Sequence, residues 1–211
     1  MTTSAPSDDS VDHARVPGLS DTPMRRWAKT DATKQRILDA STDVFASRGF
    51  TAATMADIVE RSGASIGSIY HHFGGKKELF LAIFERLAAD IDRHIDAATD
   101  HAGELNGPLA FETNARAYLE AMWVNRRAAM VLASGDTPAG FDLVRRGSML
   151  KGFRRWMSAL ELDTSHRGQL LTRILVAVMA EASGMVIMCE DAAEVAPITD
   201  ATIEWIDRLT S

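Results

Sequence analysis

Between Thr54 and Leu79 the chain reads TMADIVERSGASIGSIYHHFGGKKEL, gathering the hydroxyls of Thr54 and Ser65, Tyr70, two adjacent histidines and two adjacent lysines within twenty-six residues. Residues of these types serve proton transfer, metal ligation or contacts to nucleic acid. Metal ligation fits poorly. Successive histidines on a helix point about 100° apart, and no Cys or acidic residue stands three or four positions away in a ligand arrangement. Nor does the rest of the chain offer a nucleotide-binding loop, a zinc spacing, or a Ser-His-Asp or Cys-His set, so no enzyme and no cofactor are expected. The bland alternative is that Tyr70 is a core aromatic and the histidines ordinary surface residues.

The spacing of apolar residues decides which elements carry these groups. Residues 1–30 are rich in Ser, Thr, Asp and Pro and read as a disordered arm, whose Arg25-Arg26-Trp27 either tracks a DNA backbone or is a chance charge cluster. Asp31 can cap a first helix near 32–48, whose inner face carries Ile37, Leu38, Ser41, Val44 and Phe45 and which Gly49 stops. Thr54 and Asp57 have capping-box spacing for a short second helix ending at Gly63. Ser65 caps a third near 66–72, with Ile69 and Phe73 inward. From Lys76 the positions Leu79, Phe80, Ile83, Phe84, Leu87, Ile91 and Ile95 continue as one long helix. Further helices fit 107–124, 125–134, 138–160, 165–190 and 197–210, and no alternating strand pattern is found. The fold class expected is all-α.

Two short helices joined at Gly63 and braced by a preceding one have the layout of a helix-turn-helix. Ile66, Gly67, Ser68, Tyr70 and His71 then point outward, and all but Ile66 and Gly67 can hydrogen-bond phosphates or bases. Gly67 permits close backbone approach, while Ile66 offers only an apolar contact. Thr54 and Ser65 stand at helix N-termini that favour phosphates, with Lys76 and Lys77 beside them.

The stretch GFTAATMADIVERSGASIGSIYHHFGGKKELF resembles the N-terminal DNA-binding domain of TetR-type bacterial transcriptional regulators over about 33–87. Gly49-Phe50, Thr54, Ile58, Gly63, Ser65, Gly67, Tyr70, Phe73, Lys76 and Leu79 carry the likeness. It implies that Thr54, Tyr70, His71 and Lys76 contact DNA, chiefly phosphates, and that Gly67 and Ser68 approach base edges. Ile66 stands where many members have a polar or basic residue. The resemblance further implies a helix-turn-helix domain at 31–77 and a helical effector-binding and dimerisation bundle at 78–211. A homodimer formed through the last two helices would bind a palindromic operator as a repressor released by a small apolar molecule; the alternatives are an effector-independent or nucleoid-associated DNA binder, or a helical small-molecule-binding protein.

Composition agrees. The net charge of −6 hides a balance of seven Lys/Arg against seven Asp/Glu in 31–87 and twelve against eighteen in 88–211. No run of eighteen uncharged apolar residues and no apolar leader core occurs, and Cys189, the single cysteine, sits among apolar neighbours, so a cytoplasmic protein with a buried, inert thiol and no membrane partner is expected. The C-terminal half supplies aromatic and methionine bulk for core or for an adaptable apolar pocket. The resemblance places pocket walls on the middle helices, which makes Trp123, Met149, Phe153, Trp156, Met179 and Glu181 the effector candidates. Glu181 either faces solvent or offers a polar handle in the pocket. The helix over 165–190 is apolar nearly all round, more than one intrachain face requires, and a partner helix would cover the surplus together with Ile198, Ile203, Trp205 and Ile206.

Overall fold

The computed structural model describes residues 22–102, 107–157, 160 and 165–210 together with Met1, and side chains for all of these except 22–29 and 153–157. Nine α-helices and no strand occur among the described residues: α1 (Thr22–Ala52), α2 (Met55–Ser62), α3 (Ile66–Phe73), α4 (Lys76–Ala102), α5 (Gly107–Val124), α6 (Arg126–Ala133), α7 (Phe141–Met157), α8 (His166–Met188) and α9 (Val195–Thr210).

Local chemistry sets the boundaries much as the sequence suggests. Thr54 caps α2 in a reciprocal box with Asp57, Gly63 ends it in the left-handed conformation at φ 64°, and Ser65 Oγ accepts the N–H of Ser68 to cap α3. Gly49, at φ 76° and ψ 166°, breaks the helical path of α1 in a region open only to glycine. Two boundaries differ. The arm expected over 1–30 gives way to helix at Thr22, so α1 begins nine residues before Asp31, which is an interior helix residue and not a cap. Pro138 is buried in the α6–α7 connection instead of opening α7, because Gly140, at φ 83°, turns the chain before Phe141. Residues 25–27 are helical backbone, but their side chains lie outside the described residues.

Two apolar clusters hold the helices. The first joins Ile37, Phe45, Ile58, Ile69, Leu79, Phe80 and Ile83 to Val131, Leu132, Phe141 and Ile187. Core therefore runs without a gap from the three N-terminal helices through the first turns of α4 into α6 and α8, across the boundary drawn at 77. The second gathers Ile95, Phe111, Tyr118, Leu119, Leu175, Met179, Val186, Ile203 and Ile206. As the sequence suggests, α8 is apolar over most of its surface. Interrupted by Arg173 and Glu181, it is the one described helix long and apolar enough by length and composition to cross a membrane, with mean hydropathy 1.8 over eighteen residues, of which 33% are buried within the chain.

Candidate nucleic-acid interface and effector pocket

Helix α3 hangs on Ile69, which is 0% exposed, and on half-buried Phe73. The opposite side therefore faces outward: Ile66 is 46% and Tyr70 51% exposed, with Gly67 and His71 also exposed and Ser68 half-buried. Gly67 has an ordinary helical backbone, and a Cβ built on it meets no protein atom within 4 Å. Neither packing nor conformation calls for glycine there. His71 and His72 lie ring to ring at 5.1 Å, and no group of three or more His, Cys, Asp or Glu able to hold a metal occurs among the described residues.

The expected phosphate sites fare unequally. At α2, Thr54 N–H donates to Asp57 Oδ2 at 2.9 Å, the Thr54 hydroxyl donates to the same oxygen, and Asp57 N–H donates to Thr54 Oγ1. These bonds, the Thr54 N–H first, hold the Asp57 carboxyl below its ordinary range, with Arg48 adding a 2.9 Å ion pair. A carboxylate thus already fills this helix N-terminus. Lys76 departs further from expectation. Its Nζ donates to the carbonyls of Phe50 (2.8 Å), Thr51 (3.2 Å) and Ala53 (2.8 Å) and lies 4.7 Å from the Phe50 ring centroid. All three ammonium protons are engaged by the end of α1, which leaves Lys76 no free donor for the phosphate contact expected of it. The sequence could not show this, because it depends on where α1 ends relative to α4. Lys77, exposed and without an ion pair among the described residues, is the cation left facing outward.

A cavity of about 450 Å³ opens between α4, α5, α6, α7 and α8. Its walls are mostly aliphatic and aromatic, including Phe84, Leu87, Ile91, Met122, Leu132 and Ile187. Its polar groups include Tyr118 and Ser183 in the wall and Asp92, Arg145 and Lys151. Burial raises the Tyr118 phenol above its usual pKa, so it stays a neutral donor that the Ser183 hydroxyl partners.

The model for bacterial regulatory proteins of the tetR family matches residues 37–83. The transcriptional activator FasR of Mycolicibacterium smegmatis is 32% identical over 148 residues, covering 63% of this chain and 68% of FasR. The chain belongs to the TetR family of bacterial transcriptional regulators. A second relative, the HTH-type transcriptional repressor AcnR of Corynebacterium glutamicum, is 41% identical over 61 residues, 29% of this chain and 32% of AcnR, so that match is confined to about a third of its length. Solved structures share the fold: a TetR-like regulator from Rhodococcus has a TM-score of 0.68 at 23% identity over 84% of this chain and 93% of its own, and a regulator from Aquifex aeolicus has 0.67 at 21% identity over 84% and 99%.

Within this TetR-family chain, the effector candidates read from sequence scatter. Met149 lines the cavity. Met179 is fully buried in the second core cluster, Glu181 faces solvent, and Trp123 stacks at 3.9 Å under the Arg126 guanidinium, so these three are not cavity walls. The side chains of Phe153 and Trp156 lie outside the described residues. Sequence reasoning missed Phe84, Leu87 and Ile91 because the helical period marks an inner face without saying whether it meets core or cavity. Cys189 is half-buried at the end of α8, not sealed in core; desolvation first, and the Glu194 charge second, push its thiol upward and keep it protonated.

Proposed function

We propose that this regulator represses transcription as a homodimer, placing one α3 in each half-site of a palindromic operator, and releases DNA when a small apolar molecule fills the α4–α8 cavity. Residues 31–77 act as the DNA-binding unit and 78–211 as the effector and dimerisation unit. The observation that carries the reading is α3 itself: Ile69 anchors it while Ile66, Gly67, Ser68, Tyr70 and His71 lie on the side away from the core, with a glycine that nothing among the described residues requires. Ile66 and Gly67 meet base edges, Ser65, Ser68, Tyr70 and His71 meet the backbone or bases, and Lys77 takes the phosphate role first expected of Lys76.

Dimerisation through α8 and α9 is supported by apolar surface that the described residues leave uncovered: Leu170 is 60%, Met185 52% and Trp205 58% exposed. Two-fold symmetry then matches the half-site spacing of a palindrome. An apolar ligand binding one cavity shape better than another shifts α4 and with it the spacing of the two recognition helices.

Selection of bound duplexes from a random pool, followed by titration of the enriched sequence at several salt concentrations, tests the DNA reading. A palindromic motif with salt-dependent binding is expected, and no enrichment ends it. Adding the apolar fluorophore N-phenyl-1-naphthylamine to the complex tests the pocket: probe fluorescence should rise as DNA is released. In vitro transcription from a promoter carrying the motif gives the sign, with repression expected.

A further inference from the structure

Residues 49–53 form the corner where α1 hands over to α2, and side chains from α4 and from the α6–α7 connection grip it. Lys76 of α4 holds three of its carbonyls. From the connection between α6 and α7, Asp136 accepts the N–H of Thr51 at 3.0 Å on one carboxylate oxygen and the Thr51 hydroxyl on the other. Gly49 makes the room, since a Cβ there would fall 2.4 Å from Asp136 Oδ2. At the opposite end of α6, Arg127 pairs with Asp43 of α1 at 2.8 Å, and Asp43 also pairs with Arg61 of α2.

Helix α6 is therefore tied to the DNA-binding helices at both ends, while Ala129, Leu132 and Ala133 between those ends line the cavity. Aromatic rings follow the same route: Phe84 in the cavity wall meets Phe141 at 5.4 Å, Phe141 meets Phe80 at 4.9 Å, and Phe80 meets Phe50 at 5.3 Å, beneath the Lys76 ammonium.

We propose that Asp136 is a positioning residue for operator binding: its two-oxygen hold on Thr51 fixes the α1–α2 corner to α6, so that filling the cavity resets the pose of α3. This rests on the cavity being the effector site. A close-packed helix moves as a unit rather than deforming continuously. The Asp136 hold grips backbone as well as side chain, so displacement of α6 is passed to the main chain of the corner. The Arg127–Asp43 pair, on an arginine side chain 62% exposed, joins side chains alone and grips no backbone.

A double-mutant cycle on the full chain tests this without a known ligand. Gly184 lines the cavity and a Cβ there meets nothing within 4 Å, so Gly184→Leu fills space without a backbone clash. Affinity for the selected duplex is measured for the wild type, Gly184→Leu, Asp136→Ala and the double variant, with Ala133→Leu replacing Gly184→Leu if circular dichroism shows the latter misfolded. Filling should change affinity by about tenfold, and Asp136→Ala should shrink that change to within about twofold. Hydrogen exchange at the Thr51 amide should accelerate in Asp136→Ala while the core helices stay protected, a response that general destabilisation does not give. A filling effect undiminished by Asp136→Ala overturns the Asp136 coupling and leaves the effector reading standing. No effect from either filling overturns both.

Discussion

Gly67 and Lys76 show how far a residue's role can sit from its type. Gly67 has neither a positive φ nor a crowded Cβ. Glycine within a helix costs up to about 1 kcal/mol relative to alanine, so Gly67→Ala should raise the urea midpoint while weakening operator affinity. Loss of stability, or unchanged affinity, would refute a DNA-facing role. Lys76 has the opposite character. With its three donors on the carbonyls of Phe50, Thr51 and Ala53, Lys76→Ala should lower stability by about 1–3 kcal/mol and leave the salt slope of DNA binding nearly unchanged. Lys77→Ala should reduce that slope by about one and spare stability. The glycine was legible in the sequence as an outward position that permits close backbone approach. The lysine was not, because its partners lie more than twenty residues away and are backbone atoms.

At the scale of elements, the helix-turn-helix was legible nearly to the residue because its signals are local. The Thr54–Asp57 box, the left-handed Gly63 and the Ser65 cap each act within a few residues. Thr54→Ala should cost about 1 kcal/mol, read as a drop in the thermal midpoint. The pH response follows from Asp57. Its folded pKa is lowered from the ordinary 3.8 by the Thr54 N–H, so the carboxylate's contribution is fully present above that value and is lost as pH falls through the lower folded value. Asp136, held down first by the Thr51 hydroxyl, behaves alike. Amide protection at Thr51 and Thr54 should stay constant from neutral pH to about pH 5 and fall only below pH 4; loss near pH 6 would contradict the assignment. The start of α1 was misread because polar composition resembles an arm, whereas helix continuation depends on the chain that follows.

For the whole molecule, the uncovered face of α8 and α9 is the dominant feature. Trp205→Glu puts a charge where an apolar partner surface is expected, so sedimentation velocity should show monomer in place of dimer. Operator affinity should fall by at least about a hundredfold, since two half-sites are no longer engaged together. Retention of both dimer and affinity would move the interface elsewhere. The cavity was only coarsely legible. Met149 was found, but Met179 proved to be core and Glu181 solvent-facing, because helical period sorts inner from outer faces and cannot tell a filled interior from a hollow one.

By itself the sequence determined the all-α class, the helix order and the outward set on α3, since caps, left-handed glycines and apolar spacing act over a few residues. Only the tertiary structure decided that Lys76 closes the end of α1, that Asp136 reaches Thr51, and that α4 walls a cavity. Those contacts join positions up to 85 residues apart, where the geometry is set by the packing of whole helices and leaves no periodic trace in the chain.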